Sequence, residues 1–245
     1  MNYKEELKLL KKNEEYVYCI HYACEFLNDE NANISPRITC IVIVSFKDKK
    51  SNEFSIGTTA EKLDISKDDI NTNLDLLEKE MLKEYFNFLD LNKNSFWLHW
   101  NMNTKNYGFE AIEHRYEVLT KEKAPIQIEN HNKKSLSFII INKYGKEYVN
   151  EPYMYNLMKI TSRHRDILNG KDEVLEFHTQ NYNKLYKSTL AKAWWIKNIY
   201  YELQANKLKL NIGIGNKIGI LLENPYIKLA LAIVAIAGLV LAFKS

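Results

Sequence analysis

The sequence predicts a mixed α/β domain followed by one hydrophobic helix near the carboxyl end. Runs rich in β-branched and aromatic residues alternate with segments of helical periodicity. The apolar share of 46% and the charged share of 27% are ordinary for a globular protein. The third observation is the uncharged run LALAIVAIAGLVLAF at positions 229–243. A chain of 245 residues is long enough to bury a sizeable core.

The order of the elements indicates a mixed α/β sandwich rather than a doubly wound Rossmann pattern. Segments with strand character are 16–27, 38–46, 53–57 and 95–100, of which 38–46 and 53–57 are expected to form a hairpin. Segments with helical spacing are 3–15, 68–90, 109–120 and most of 151–204, with a turn at 168–173. Positions 133–145 fit a helix or a strand.

Charge and cysteine content exclude several classes of protein. A net charge of +3 is too weak to indicate nucleic-acid binding from bulk charge. Cys19, Cys24 and Cys40 are odd in number and lack a repeated spacing, which argues against a disulfide framework or a zinc cluster. Cys24 and Cys40 are expected to be buried thiols in a reducing, cytoplasmic environment. Residues 1–15 are charged throughout and have no apolar signal core, so we expect no secretion signal there.

The apolar run predicts a transmembrane helix at 226–243, with Tyr226 and Lys228 at one interface. The alternative is a buried core helix, but the run has no polar stripe on any face. Lysines are denser before the run than after it, so we expect a single-pass tail anchor in the inner membrane with residues 1–205 in the cytoplasm. Residues 206–225 form the predicted linker; the part 210–225 fits an interfacial element, a plain linker or a re-entrant segment in an assembly.

The segment 74–119 contains a helix, a strand, an Asn-containing loop and a helix bearing Arg, with Asn101, Tyr107–Gly108 and Arg115 at the characteristic places. This order resembles the middle of DEDD-type 3′–5′ exonuclease domains, as in proofreading modules of DNA polymerases. YACEF at 22–26 resembles the strand with the family's D-x-E motif, and 182–199 resembles the helix that supplies its last Tyr and Asp. The resemblance covers residues 16–204 and implies an RNase H-like mixed sheet flanked by helices.

Most of the carboxylates that the resemblance implies are replaced. The first Asp corresponds to Ala23, the second to Gly108, and the last falls near Lys187 or Ser188. Two-metal cleavage needs several carboxylates around the metal ions, so we expect no catalytic residues, no metal ligands and no cofactor. The alternative is an active nuclease that uses Glu25 and Glu110 with Mg²⁺.

The segment 99–116 is the densest polar and aromatic part of the chain. It is expected to line a binding mouth, or alternatively to be packed core and a solvated helix face; its candidate binding residues are His99, Asn101, Tyr107, Glu113, His114 and Arg115. His21 and Glu25 are expected to share one face of a strand. They could form a metal-binding or acid/base pair near His99, or alternatively a buried polar pair. Lys159 with 163–165 forms a basic cluster that either contacts phosphate or is plain surface charge.

Together these features predict a bacterial effector or sensor, anchored in the membrane and carrying a catalytically degenerate nuclease-like domain. The layout is similar to that of antiviral defence effectors that disrupt the membrane of infected cells, which is an analogy between layouts. Expected partners are the membrane, a nucleic acid or nucleotide, further copies of the chain, and a protein encoded in the same operon. Small residues such as Ala230, Ala235 and Gly238 permit close helix packing. The alternatives are a membrane-tethered 3′–5′ exonuclease and a membrane scaffold.

Overall fold

The structure, a computed structural model, describes residues 2–26, 35–48, 50–104, 106–162, 164–210, 222 and 225–242. Within these residues the chain forms a five-stranded mixed sheet of order β3-β2-β1-β4-β5. The strands are β1 (Val17–Cys24), β2 (Ile38–Ser45), β3 (Ser51–Ser55), β4 (Phe96–His99) and β5 (Lys133–Ser135). β1, β2 and β3 pair antiparallel, whereas β4 and β5 run parallel to β1.

Strands β1 and β2 form the centre of the fold because helices cover both faces of the sheet. Every residue of β2 is buried, and in β1 all but Tyr18 are buried. Such double burial explains their nearly continuous apolar sequences, since both side-chain rows of a covered strand contact a core. In the parallel pair, Val17 lies opposite Phe96 and Ile20 opposite His99, so the carboxyl ends of β1 and β4 meet at one edge of the sheet.

Helices on the two faces enclose two separate hydrophobic cores. The helices of the domain are α1 (Tyr3–Lys12), α2 (Ile56–Lys62), α3 (Leu74–Leu91), α4 (Phe109–Thr120), α5 (Leu136–Tyr144), α6 (Tyr153–Thr161), α7 (Gly170–His178) and α8 (Tyr182–Gln204). Helices α1, α5, α6 and α8 build one core with residues such as Cys19, Leu98 and Ile196. Helices α2, α3 and α4 build the other with residues such as Ile20 and Trp97. Cys19, Cys24 and Cys40 are buried free thiols.

The structure refines or changes the predicted elements at several places. The ambiguous segment 133–145 is strand β5 followed directly by helix α5, with Ser135 capping the helix through a bond from the Phe138 amide. Helix α2 was not predicted; Ser55 ends β3 and serves as its N-cap, because its hydroxyl accepts the Thr58 amide at 3.1 Å. The predicted helical stretch 151–204 is divided into α6, α7 and α8.

A further helix, α9 (Pro225–Ala242), lies where the apolar run predicts one. Among the residues that the structure describes, no helix is both long and apolar enough to cross a membrane. The segment predicted to cross the membrane is helical, and its membrane insertion stays a proposal. The predictions for 210–225 fall almost entirely outside the described residues.

Candidate functional site

A cleft of about 820 Å³ lies at the carboxyl end of β1, between the sheet and helices α6, α7 and α8. Its lining includes Tyr22, Ala23 and Cys24 from β1 and Tyr107 from the loop after β4. Helix α6 and the start of α7 supply the opposite wall. The edge of a sheet at which parallel strands end is a frequent position for binding sites in α/β proteins. This cleft is therefore the candidate functional site.

A buried ion pair between Lys192 and Glu173 dominates the electrostatics of the cleft. The Lys192 ammonium lies 2.6 Å from Glu173 Oε1, and Lys192 is 5% exposed. The Ser188 hydroxyl donates to the same oxygen at 3.0 Å and accepts the Leu168 amide at 3.1 Å. Ser188 and Lys192 are four residues apart on α8, so they lie on the same helix face. The pair connects α8 to α7 and places a positive charge beside β1.

His21 and Cys24 line the same cleft but are poorly suited to acid/base or nucleophilic chemistry. Burial and then the charge of Lys192 hold the pKa of His21 well below its usual value, so the imidazole is neutral. Within the described residues, His21 Nδ1 has no hydrogen-bond partner. Burial raises the pKa of the Cys24 thiol to about 12, and a thiol is a weak nucleophile in that state. These groups favour binding over catalysis.

Tyr22 and Tyr107 join the end of β1 to the loop after β4. Their rings stack with centroids 4.5 Å apart, and the Tyr107 hydroxyl donates to the Tyr22 carbonyl at 3.2 Å. In return the Gly108 amide donates to the Tyr22 hydroxyl at 3.0 Å. Two backbone–side-chain bonds and one ring stack therefore hold Ala23 and Gly108 at one edge of the sheet.

Gly108 has no room for a side chain. A Cβ atom there would lie 2.7 Å from the Met102 carbonyl oxygen and 2.8 Å from that of Thr104. Both atoms belong to the backbone of the loop, which is held in place by an isolated bridge between Asn103 and Gly108. At Gly108, where the family that the chain resembles has an Asp, backbone atoms of the loop therefore occupy the space of a side chain.

Replacing Gly108 by alanine is expected to destabilise the protein by about 1–3 kcal/mol, because the loop must move to admit the methyl group. Gly57 in α2 is the matched control, since the nearest atom to a Cβ there is the Ser55 hydroxyl at 3.9 Å. Gly57→Ala should be neutral or stabilising by up to about 1 kcal/mol. Urea denaturation measures both changes. Equal stability of Gly108→Ala and the parent would contradict the described loop packing.

Arg115 lies in an ion-pair network away from the cleft. Its guanidinium donates to both carboxylate oxygens of Glu78, at 2.8 and 2.7 Å. Arg37 donates to Glu78 at 3.0 Å, and the Ile38 amide donates to it at 2.6 Å. Glu78 is completely buried. Arg115 therefore ties α4 to α3 and β2.

The other predicted binding residues are distributed over several places. Glu113 and His114 line a second, more polar cavity of about 420 Å³ together with Glu110. His99 is completely buried, on the sheet face opposite that of His21. Asn101 is exposed, and its side-chain oxygen accepts a hydrogen bond from the Asn103 side-chain amide at 3.1 Å. Of the predicted set, the main cleft contains only His21 and Tyr107.

The residues of the cleft do not suit the two divalent metal ions that the resemblance implies. Among the described residues, no group of three His, Cys, Asp or Glu side chains lies close enough to hold a metal ion. Ala23 offers no ligand, and Gly108 can carry none. The Lys192 ammonium would repel a cation beside Glu173. Glu25 lies past a register irregularity between Ala23 and Cys24, so strict alternation along β1 does not place it with His21.

The predicted site set does not include Lys192, Glu173 or Ser188, although the sequence contains a signal for one of them. Lys192 is the only charged residue in the run LAKAWWI, and it lies on the same helical stripe as Leu185 and Ile196. A charge on the buried stripe of a helix usually has a partner or a function. Glu173 is on a separate helix and carries no comparable signal.

In comparisons with known proteins, no family model, no curated protein and no solved structure matches this chain significantly.

Proposed function

We propose that this protein is a non-hydrolytic receptor for an anionic, nucleotide-like ligand, attached to a bacterial membrane by α9. The observation that carries the proposal is the buried Lys192 in a cleft where the resembling exonucleases need carboxylates. A cation in that place attracts an anion and repels the divalent metal ions that the exonucleases need for cleavage. Binding of the ligand would be the signal, and the membrane helix would deliver the response.

The order and packing of the elements support a degenerate exonuclease-like domain. Helix α3 leads into β4, then to the loop with Asn101, to Tyr107–Gly108 and to α4 with Arg115. Because β1 and β4 are parallel and adjacent, the D-x-E-like segment and this loop come together at one edge. Helix α8 packs against β1 and β2 and brings the Ser188 hydroxyl into contact with the ion pair between Lys192 and Glu173. The sequence resemblance places the last Asp of the family near Lys187 or Ser188.

The charges that line the cleft support an anionic ligand. Lys159, Lys171 and Lys192 face it, against one carboxylate from Glu173. Lysine side chains are common phosphate contacts in nucleic-acid-binding proteins. The predicted phosphate contact of Lys159 is consistent with its place in the wall.

Helix α9 supports attachment to lipid. Six large apolar side chains of this helix are between 50% and 82% exposed, namely Tyr226, Leu229, Leu231, Ile233, Val234 and Ile236. Exposed apolar surface of this extent marks an interaction site, and an all-apolar helix without a polar stripe suits hydrocarbon. Lys207, Lys209 and Lys228 precede the apolar part and suit anionic headgroups.

The first experiment tests hydrolysis. The full-length protein is incubated with labelled single strands in Mg²⁺ or Mn²⁺, and we expect no cleavage above that of a preparation boiled beforehand. Cleavage that is lost in Glu25→Ala would overturn the proposal and establish the alternative, a membrane-tethered nuclease.

The second experiment tests attachment. We expect the full chain to float with vesicles that contain anionic lipid and to resist carbonate extraction, whereas a chain truncated after Asn224 stays in solution. Val234→Lys in α9 should weaken flotation, because a charge on the apolar helix is costly in hydrocarbon. Leu91→Lys, at a highly exposed apolar residue of α3, is the matched control. Equal flotation of the full and truncated chains would contradict attachment by α9.

The same truncation tests the effector role. On induction in bacteria, the full chain is expected to collapse the membrane potential, as a voltage-sensitive dye reports. The chain truncated after Asn224 should leave the potential unchanged. Equal toxicity of the two would exclude membrane disruption and leave a receptor or scaffold that recruits a partner.

A further inference from the structure

We infer that Lys192 supplies the positive charge that divalent metal ions supply in the exonucleases this domain resembles, so that the cleft binds a phosphomonoester attached to a flat aromatic group without any metal. The inference rests on the proposed function, namely that the cleft binds its ligand and does not cleave it. It adds the chemical class of the ligand, the residue that anchors the ligand, and independence from metal.

The charges of the lining residues match a phosphomonoester. Three lysines and one glutamate, with His21 neutral, give the cleft a formal charge of +2. A phosphomonoester carries close to two negative charges at neutral pH. Lys192 is 5% exposed, and a charge removed from water interacts more strongly with a counter-ion than one at the surface. A terminal phosphate is therefore the group that the cleft neutralises best.

The walls of the cleft suit an aromatic body. Met154, Met158 and Val174 line it with apolar surface, and Tyr155 adds an aromatic ring. The Lys159 ammonium lies 4.3 Å from the centroid of that ring, so phosphate-binding and stacking groups are adjacent. A volume of about 820 Å³ is within the usual range for a site of small-molecule size. A mononucleotide has both chemical parts.

His21 supplies an independent sign that the cleft has a ligand. Its Nδ1 atom is buried and has no hydrogen-bond partner within the described residues, although His21 lines the cleft. Leaving a buried polar atom unpaired costs free energy. A ligand that hydrogen-bonds to this nitrogen would remove that cost.

Glu173 competes with the ligand for Lys192. In the structure its carboxylate forms an ion pair with the Lys192 ammonium at 2.6 Å. A phosphate that approaches Lys192 must displace this carboxylate or share the ammonium with it. Removing the charge of Glu173 should therefore tighten binding, whereas removing that of Lys192 should weaken it. A merely structural ion pair would not give opposite signs for its two partners.

The test is calorimetric titration of the full-length protein in detergent with adenosine 5′-monophosphate, adenosine and inorganic phosphate, in excess EDTA. We expect the monophosphate to bind in EDTA, and adenosine to bind at least about tenfold more weakly because it lacks the charged group. Added Mg²⁺ should not tighten binding. Binding of the monophosphate only when Mg²⁺ is present would overturn the inference, as would equal binding of adenosine.

Variants assign the effect to Lys192. Lys192→Met is expected to weaken monophosphate binding at least about tenfold, and Glu173→Gln to tighten it about threefold or more. Lys187→Met, an exposed lysine on the same helix, is the matched control and should bind like the parent. The double variant Lys192→Met/Glu173→Gln leaves no unpaired charge, so it keeps the weak-binding result interpretable should Lys192→Met fail to fold. Parent-like binding by the double variant would overturn the role of Lys192.

The outcomes separate this inference from the proposed function. Strand cleavage by the parent would overturn the proposed function, whatever the titrations show. An absence of monophosphate binding together with an absence of cleavage would overturn only the inference and leave a receptor for another anion.

Discussion

Replacing Glu78 by glutamine is expected to lower the free energy of unfolding by about 3–5 kcal/mol, which is a large part of the stability of an ordinary domain. Glu78 is completely buried and accepts hydrogen bonds from Arg115, Arg37 and the Ile38 amide. Glutamine has nearly the same volume, so the loss isolates the charge. Without that charge, the mostly buried guanidinium of Arg115 loses its main counter-ion and its bidentate acceptor.

The measurement is urea denaturation followed by tryptophan fluorescence. Glu84→Gln is the matched control, because Glu84 pairs with Lys62 at 2.5 Å on the surface, where both side chains are well exposed. Surface ion pairs contribute little, so this variant should lose less than about 1 kcal/mol. A loss for Glu78→Gln no larger than that of the control would show that the network does not hold α3, α4 and β2 together.

The same network shows why one part of the predicted site was not found in the cleft. The sequence predicts a binding role for Arg115 because its helix resembles one that bears an Arg in the exonuclease family. The sequence shows the spacing of Arg115 along α4, but it does not show that Glu78, 37 residues earlier, is buried and faces it. Partners at such a separation depend on how helices pack, and helical periodicity contains no information about packing partners.

The strands and helices that periodicity predicts best have a regular burial pattern, which is continuous in β2 and one-sided in α4. Helix α4 begins and ends at the predicted residues 109 and 120, and β2 lies within the predicted 38–46, because its covered faces require an unbroken apolar run. The sequence does not decide between helix and strand for 133–145, because this segment contains both. The three polar residues of β5 are followed directly by the apolar helix α5. Pairing with β4, a long-range contact, makes Lys133–Ser135 a strand.

The cleft, too, was predictable from local patterns and not from long-range contacts. Its general position was predictable, because the resemblance places the D-x-E-like segment and the loop with Tyr107 at one end of the sheet. The partner of Lys192 was not, since Glu173 lies on another helix and helical periodicity does not show which helices pack together. Ala23 and Gly108 are visible in the sequence at the places where the family that the chain resembles has carboxylates, whereas the contact of Lys192 with Glu173 is visible only in the fold.

Acidification is expected to destabilise the protein, and His99 should account for a defined part of the loss. The Met102 amide donates to His99 Nδ1 at 2.9 Å, so the proton of the neutral imidazole is on Nε2. Protonation of Nδ1 would break this bond and place a charge in a completely buried site. Burial, with a smaller effect of Lys133, lowers the pKa of His99 to about 3. In the unfolded chain the pKa of histidine is about 6.5.

The sign of the effect follows from proton binding. Between about pH 3 and pH 6.5 the unfolded state binds more protons at His99 than the folded state does, so stability falls as the pH falls through this range. From pH 7.5 to 5.5 the contribution of His99 amounts to about 1.4 kcal/mol. His21, whose pKa is also lowered by burial and by Lys192, adds to the loss in the same direction.

Urea denaturation of the parent and of His99→Gln at several pH values measures this contribution as a difference of slopes. His99→Gln is expected to be less stable than the parent at pH 7.5, because the packing against Phe109 changes, yet to lose about 1.4 kcal/mol less than the parent on going to pH 5.5. His131→Gln, at an exposed histidine, should keep the slope of the parent. Parallel slopes for the parent and His99→Gln would mean that the imidazole accepts a proton within the fold, and that the amide of Met102 is not what fixes its neutral form.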